Sequence, residues 1–138
     1  ISLTRSLAVN HAGAGVRANC VAFIEDMAGA YEWADLVLCR SGALTVAELA
    51  AAGVASILVP FPYAVDDHQT HNAAYLADAG AAVLLPQHKT DADQLAAQLT
   101  EVLMQPGKLK AMGATARRLA RPDATRSVVD ICLEVAHG

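Results

Sequence analysis

Aromatic side chains are scarce in this sequence. Two Phe, three Tyr and one Trp make up 4% of its 138 residues, so a core has to be assembled from something smaller. A hydrophobic fraction of 54% supplies Ala, Val and Leu instead, which suits helices laid closely on a sheet and argues against disorder. A stripe of Lys and Arg is missing as well: ten basic residues are dispersed through a chain of net charge −4, which leaves nothing to neutralise a run of phosphates and makes nucleic acid a poor partner. The three cysteines, Cys20, Cys39 and Cys132, form no CxxC pair and are odd in number. That pattern reads as buried free thiols in a reducing compartment, so a cytoplasmic location is expected. No window nears the ~20 uncharged apolar residues of a spanning helix, and the first residues lack the long apolar core of a signal peptide. Three motifs are also absent. Without G-x-G-x-x-G, G-x-x-x-x-G-K-[S/T] or a G-x-S-x-G elbow around Ser41, the dinucleotide, nucleoside-triphosphatase and serine-hydrolase readings drop out.

What is present is an alternation. Four short apolar runs rich in β-branched residues, 16–23, 36–39, 56–59 and 82–85, are each followed by a turn signal and then a helical pattern. Asp26 precedes a predicted helix over 27–33, Thr45 one over 46–52 and Asp67 one over 68–78, while Gly53 and Gly80 fall where left-handed caps end helices. Strand and helix in turn, with short connections, predict a parallel α/β sheet wound with helices on both faces in one domain. Beyond Pro86 only helices are expected, over 91–104, 106–120 and 122–137, with Pro106 and Pro122 in first-turn positions. The chain opens on Ile1 inside a stretch, 2–11, that reads as helical, and a fragment is expected.

Three segments could carry chemistry. The run Arg40-Ser41-Gly42-Ala43-Leu44-Thr45-Val46-Ala47-Glu48 follows the second apolar run directly. Ligands of open α/β sheets sit beyond the carboxyl ends of the strands, and a helix opening there presents free N–H groups and a partial positive charge, which suits a pyrophosphate. Gly42 would allow close backbone approach. Glu48 has two readings: partner of Thr45 in a T-x-x-E capping box, or a carboxylate accepting from both hydroxyls of a ribose. The second segment, from Phe61 to Asn72, follows the next strand and reaches the same edge. Its Gln69 can both donate and accept, as sugar recognition requires, or be an ordinary surface residue. His68 and His71 with Asp66 and Asp67 raise a metal site, but no further ligand stands at a recognisable spacing, so no metal is expected. The third segment, Phe23-Ile24-Glu25-Asp26-Met27, could offer Ile24 and Met27 as flat walls for a base, or be plain core.

In this order and spacing the three segments, together with Val59-Pro60-Phe61-Pro62, resemble the C-terminal domain of the MurG family of GT-B glycosyltransferases. The likeness runs from about Gly15 to the end and includes Pro122-Asp123-Ala124-Thr125. It implies a Rossmann-like lobe that binds UDP-N-acetylglucosamine, with Ile24 at the uracil through its backbone, Ala43, Leu44 and Thr45 along the diphosphate, Glu48 on the ribose and Gln69 on the hexose hydroxyls. Val46 and Ala47 belong to the same donor surface, and Met27, Ser41, Gly42 and His68 are further candidates. His68 stands where many relatives carry a second glutamine. The family transfers N-acetylglucosamine to lipid I with inversion and needs no cofactor or metal, since helix dipole and backbone N–H groups receive the departing diphosphate. The resemblance also implies that the first strand, a glycine-rich loop and the whole acceptor domain, with its base and membrane-facing patch, lie outside this chain. No catalytic residue is then expected within it. A UDP-N-acetylglucosamine 2-epimerase and a non-catalytic nucleotide-binding module are the alternatives.

Overall fold

A computed structural model describes residues 24–63 and 65–137. Helix α1, Met27–Trp33, starts at Asp26, whose carboxylate accepts from the Gly29 N–H at 2.9 Å. Strand β1, Leu36–Cys39, leads to α2, Ala43–Ala52, which ends on Gly53 at φ 68°. Strand β2, Ala55–Leu58, is followed by a 3-10 turn, Val65–Asp67, and α3, His68–Ala77. Strand β3, Ala82–Leu84, comes next, then a 3-10 turn, Gln87–Lys89. Three helices complete the described chain: α4, Ala92–Leu103, α5, Pro106–Leu119, and α6, Ala124–His137. The three strands pair in parallel in the order β1-β2-β3, with Val37, Ser56 and Ala82 in one row and Cys39, Leu58 and Leu84 in another. The alternating α/β architecture expected from the apolar runs is therefore present; the run 16–23 and the helical stretch 2–11 lie outside the described residues.

A pleated strand sends successive side chains to opposite faces, and the register sorts the core accordingly. Val37, Cys39, Leu58, Ala82 and Leu84 share one face with Tyr31, Val46, Leu49, Ala50, Ala73 and Leu76 from α1, α2 and α3. Leu36, Ala55 and Val83 share the other with Val102 of α4 and Leu109 and Met112 of α5. The central strand is buried along its whole length because both faces are covered. Leu49, Ile57, Leu58, Leu76 and Val102 are fully enclosed, each stabilising the fold by roughly 1.5–3 kcal/mol. Small residues set the spacing, as the poverty in aromatics foretold: Gly113 of α5 lies against the Gly53 carbonyl, where a Cβ would collide. Beside that contact the Arg117 guanidinium donates to the Ala51 carbonyl in the last turn of α2.

Two expectations change. Helix α6 begins at Ala124, because Pro122 and Asp123 form a turn closed by the Ala124 N–H on the Arg121 carbonyl at 3.2 Å. Its Val128, Val129, Ile131, Leu133 and Val135 are exposed among the described residues. The thiols also part company: Cys39 is half-buried in β1, and burial pushes it up to about 11, whereas Cys132 is exposed on α6, which nothing described covers. Cys20 lies outside the described residues.

Candidate functional site

The carboxyl ends of β1 and β2 open side by side, and α2 starts directly beyond β1. Its N-cap is Gly42, in extended conformation, with no side-chain hydrogen bond to the helix. The first backbone bond of the helix runs from the Val46 N–H to the Gly42 carbonyl at 3.0 Å, so the N–H groups of Ala43, Leu44 and Thr45 have no acceptor among the described residues. At Gly42 a Cβ would meet only the Thr45 hydroxyl, at 3.7 Å, and its φ of −61° suits any residue. Among the described residues nothing else comes within 4 Å of that point. This start corrects the helix expected from 46 onward and removes the capping box: Thr45 is the third helical residue, not the cap, so Glu48 cannot reach back to a cap amide. The Glu48 carboxylate instead accepts from the Tyr31 hydroxyl, Oη to Oε2, at 3.1 Å.

The two loops are laced together by side chains that satisfy backbone. Arg40 donates through one guanidinium nitrogen to the carbonyls of Val59, at 3.2 Å, and Pro60, at 3.0 Å, and lies 5.6 Å from the centre of the Phe61 ring. Phe61 in turn meets Tyr63 edge to face, with ring centres 5.7 Å apart. Ser41 is fully buried and donates to the Gln69 carbonyl at 2.7 Å, and Asn72 donates to the Ser41 carbonyl at 3.1 Å. The Gln69 side chain accepts from the Phe61 N–H at 2.9 Å, which uses its oxygen and leaves its NH₂ as donor. Between them Asp66 and Asp67 both take positive φ, 52° and 51°. Such a conformation costs energy in any non-glycine residue, least in Asp and Asn. Asp67 occupies the N-cap of α3 as expected, but its side chain makes no capping bond to the helix backbone; its carboxylate accepts from the Thr70 hydroxyl at 2.6 Å. His71 Nδ1 is 3.2 Å from the Asp67 carbonyl, and among the described residues no three His, Cys, Asp or Glu side chains gather as a metal site would need.

This arrangement can take an anion at α2, hydroxyls at Glu48 and a polar group at Gln69, all on one edge of the sheet. Comparison with known proteins decides which family built it. The sequence matches the glycosyltransferase family 28 C-terminal domain over residues 4–128. The chain belongs to that family. The match starts earlier than Gly15, where the likeness in the sequence became legible. The family 28 domain is 77% identical over 128 residues to the UDP-N-acetylglucosamine--N-acetylmuramyl-(pentapeptide) pyrophosphoryl-undecaprenol N-acetylglucosamine transferase of Stutzerimonas stutzeri (strain A1501), which covers 93% of this chain and 36% of the relative. A protein of the same name from Pseudomonas fluorescens (strain SBW25) is 69% identical over 131 residues, 95% of this chain and 37% of the relative. The chain thus spans a little over a third of the curated relatives it matches. Among solved structures, Acinetobacter baumannii MurG superposes with a TM-score of 0.79 at 49% identity, over 88% of this chain and 35% of that one.

Within the family 28 domain the residues singled out in the sequence are not equivalent. Ala43, Leu44 and Thr45 supply the open helix end, and Leu44 is 73% exposed. Val46 is buried in the core and its N–H is bonded within the helix, so it has neither side chain nor amide to offer. Ala47 is exposed. Ser41 is a buried tether, and its hydroxyl is already engaged. Met27 is half-buried against the main core cluster, and Ile24 is half-buried at the first described position. His68 is exposed in the first turn of α3. Three residues that order the loops or Glu48 have no role in the sequence reading: Arg40 and Asn72, although both lie in the segments singled out, and Tyr31. Tyr31 had a weak local signal, a polar-tipped ring one helical turn after Met27.

Proposed function

We propose that this family 28 domain binds UDP-N-acetylglucosamine and is the donor-binding part of a transferase that moves N-acetylglucosamine to the muramoyl unit of lipid I. One observation carries the reading: three N–H groups at the start of α2, unbonded among the described residues, share an edge with the Glu48 carboxylate and the Gln69 amide. The names of the relatives, which state both donor and acceptor, support it. The open helix end is suited to a diphosphate, Glu48 to the ribose hydroxyls, Gln69 to the hexose and the Ile24 backbone to the uracil. In the reaction the acceptor oxygen attacks C1 of the sugar as the bond from C1 to the diphosphate oxygen breaks. The electron pair leaves with UDP, and the hydroxyl proton passes to a base outside this chain. Charge grows on the leaving diphosphate, and fixed N–H dipoles aimed at it lower the barrier without reorganising. Acceptor site, base and any membrane-facing surface belong to the part of the protein beyond these residues.

Competition binding tests the assignment. In the protein as its gene encodes it, UDP should displace UDP-N-acetylglucosamine, whereas ADP should not, because adenine presents a different edge and a larger outline. Equal displacement by ADP would remove the uridine reading.

A further inference from the structure

The carboxylate of Glu48 is not left to find its own orientation. It sits one turn inside α2, half-buried, on a side chain with three rotatable bonds, and such a side chain in water samples many rotamers. Here its Oε2 is met by the hydroxyl of Tyr31, 17 residues earlier in the chain, at 3.1 Å. Tyr31 is 8% exposed and packs in the main core with Val46 and Leu49 of α2. The donor is thus held by the same core that holds the helix bearing its acceptor. We infer that Tyr31 is a positioning residue for Glu48: its hydroxyl fixes one carboxylate oxygen, selecting the rotamer in which Oε1 and the remaining lone pair of Oε2 accept from a ribose.

The inference rests on the proposed reading of Glu48 as the ribose ligand. The hydroxyl is a durable donor, since burial first, and then the hydrogen bond and charge of Glu48, push its ionisation far above the ordinary tyrosine range. Neutral and moderately alkaline solutions therefore leave the proton in place. Tyr31 itself needs no contact with the nucleotide. Its effect passes through the carboxylate alone, which separates it from a residue that merely supports the fold.

The test is a cycle in the protein as its gene encodes it, with Tyr31→Phe, Glu48→Ala and the double variant, each titrated calorimetrically with UDP and with 2′-deoxy-UDP. Phe keeps the ring and its packing, so the fold is retained, and a thermal melt checks this. Tyr31→Phe should weaken UDP roughly three- to tenfold, as expected for loss of one hydrogen bond to a charged group acting at second hand, and 2′-deoxy-UDP distinctly less. In the Glu48→Ala background the same change should alter neither. The inference fails, with Glu48 intact as ribose ligand, if Glu48→Ala is impaired and Tyr31→Phe binds UDP like the parent. It fails too if Tyr31→Phe weakens both nucleotides alike and still does so without Glu48. If Glu48→Ala binds UDP normally, the ribose reading is lost and the inference with it.

Discussion

Two helices of this domain begin in opposite ways. At α4, Asp91 accepts from the Gln94 N–H at 2.8 Å while the Gln94 side chain accepts from the Asp91 N–H at 3.0 Å, so the helix closes its own end with a reciprocal cap. At α2, Gly42 offers no side chain and the first three amides stay open among the described residues. A cap of the Asp type is worth ~1 kcal/mol over Ala and a few tenths over Gly, so α2 forgoes a modest stabilisation that α4 takes. The difference lies in what each end faces. The α4 start is a corner of the scaffold, and α2 opens where two strands end and where Arg40, Ser41 and Gln69 hold the loops in place. Stability is satisfied locally at one and left unclaimed at the other, where an anion is proposed to bind.

The comparison can be broken most sharply by giving α2 the cap it lacks. Gly42→Asp places a carboxylate where a diphosphate is proposed to sit; binding of UDP should fall by about tenfold or more, while the melting temperature holds or rises slightly. A carboxylate that left UDP binding intact would mean that the open end is not the anion site. Next in size is the mirror change, Asp91→Ala, which should cost about 1 kcal/mol in urea unfolding and leave UDP binding unaltered. A matching loss of affinity would show that the two helix ends are not separable. The smallest effect concerns another unsatisfied group, the fully buried Ser56 hydroxyl in β2, which has no hydrogen-bond partner among the described residues. Unlike the α2 amides it lies where no ligand can come, so Ser56→Ala should be neutral or stabilise by up to about 0.5 kcal/mol. A loss above 1 kcal/mol would place a hidden acceptor beside it.

Much of the scaffold could be read from residues alone, because short β-branched apolar runs and glycine stops act over a few positions. Strand β1 and helix α1 fall on their expected bounds, β2 is displaced by one residue and β3 ends one early. The start of α2 was misplaced by three residues for a physical reason. Thr45 is a good cap by type, but Ala43 and Leu44 are good helix formers, and once the chain is tethered at Arg40 and Ser41 the helix extends back to Gly42. The site was legible as segments, not as wiring. That Gln69 spends its oxygen on Phe61, and that Glu48 answers to Tyr31, depends on contacts 8 and 17 residues apart, which no local pattern encodes.

The bond from Arg117 to the Ala51 carbonyl reaches beyond the packing of α5. An α-helix ten residues long is a dipole about 15 Å from end to end, and its two poles ordinarily oppose each other at a distance. A cation seated on the last turn of α2 screens the negative pole, so the potential at the far end is less offset than that of an isolated helix. Seen as a circuit, α5 grounds one terminal and the other is left live, at the edge where the anion is proposed to arrive.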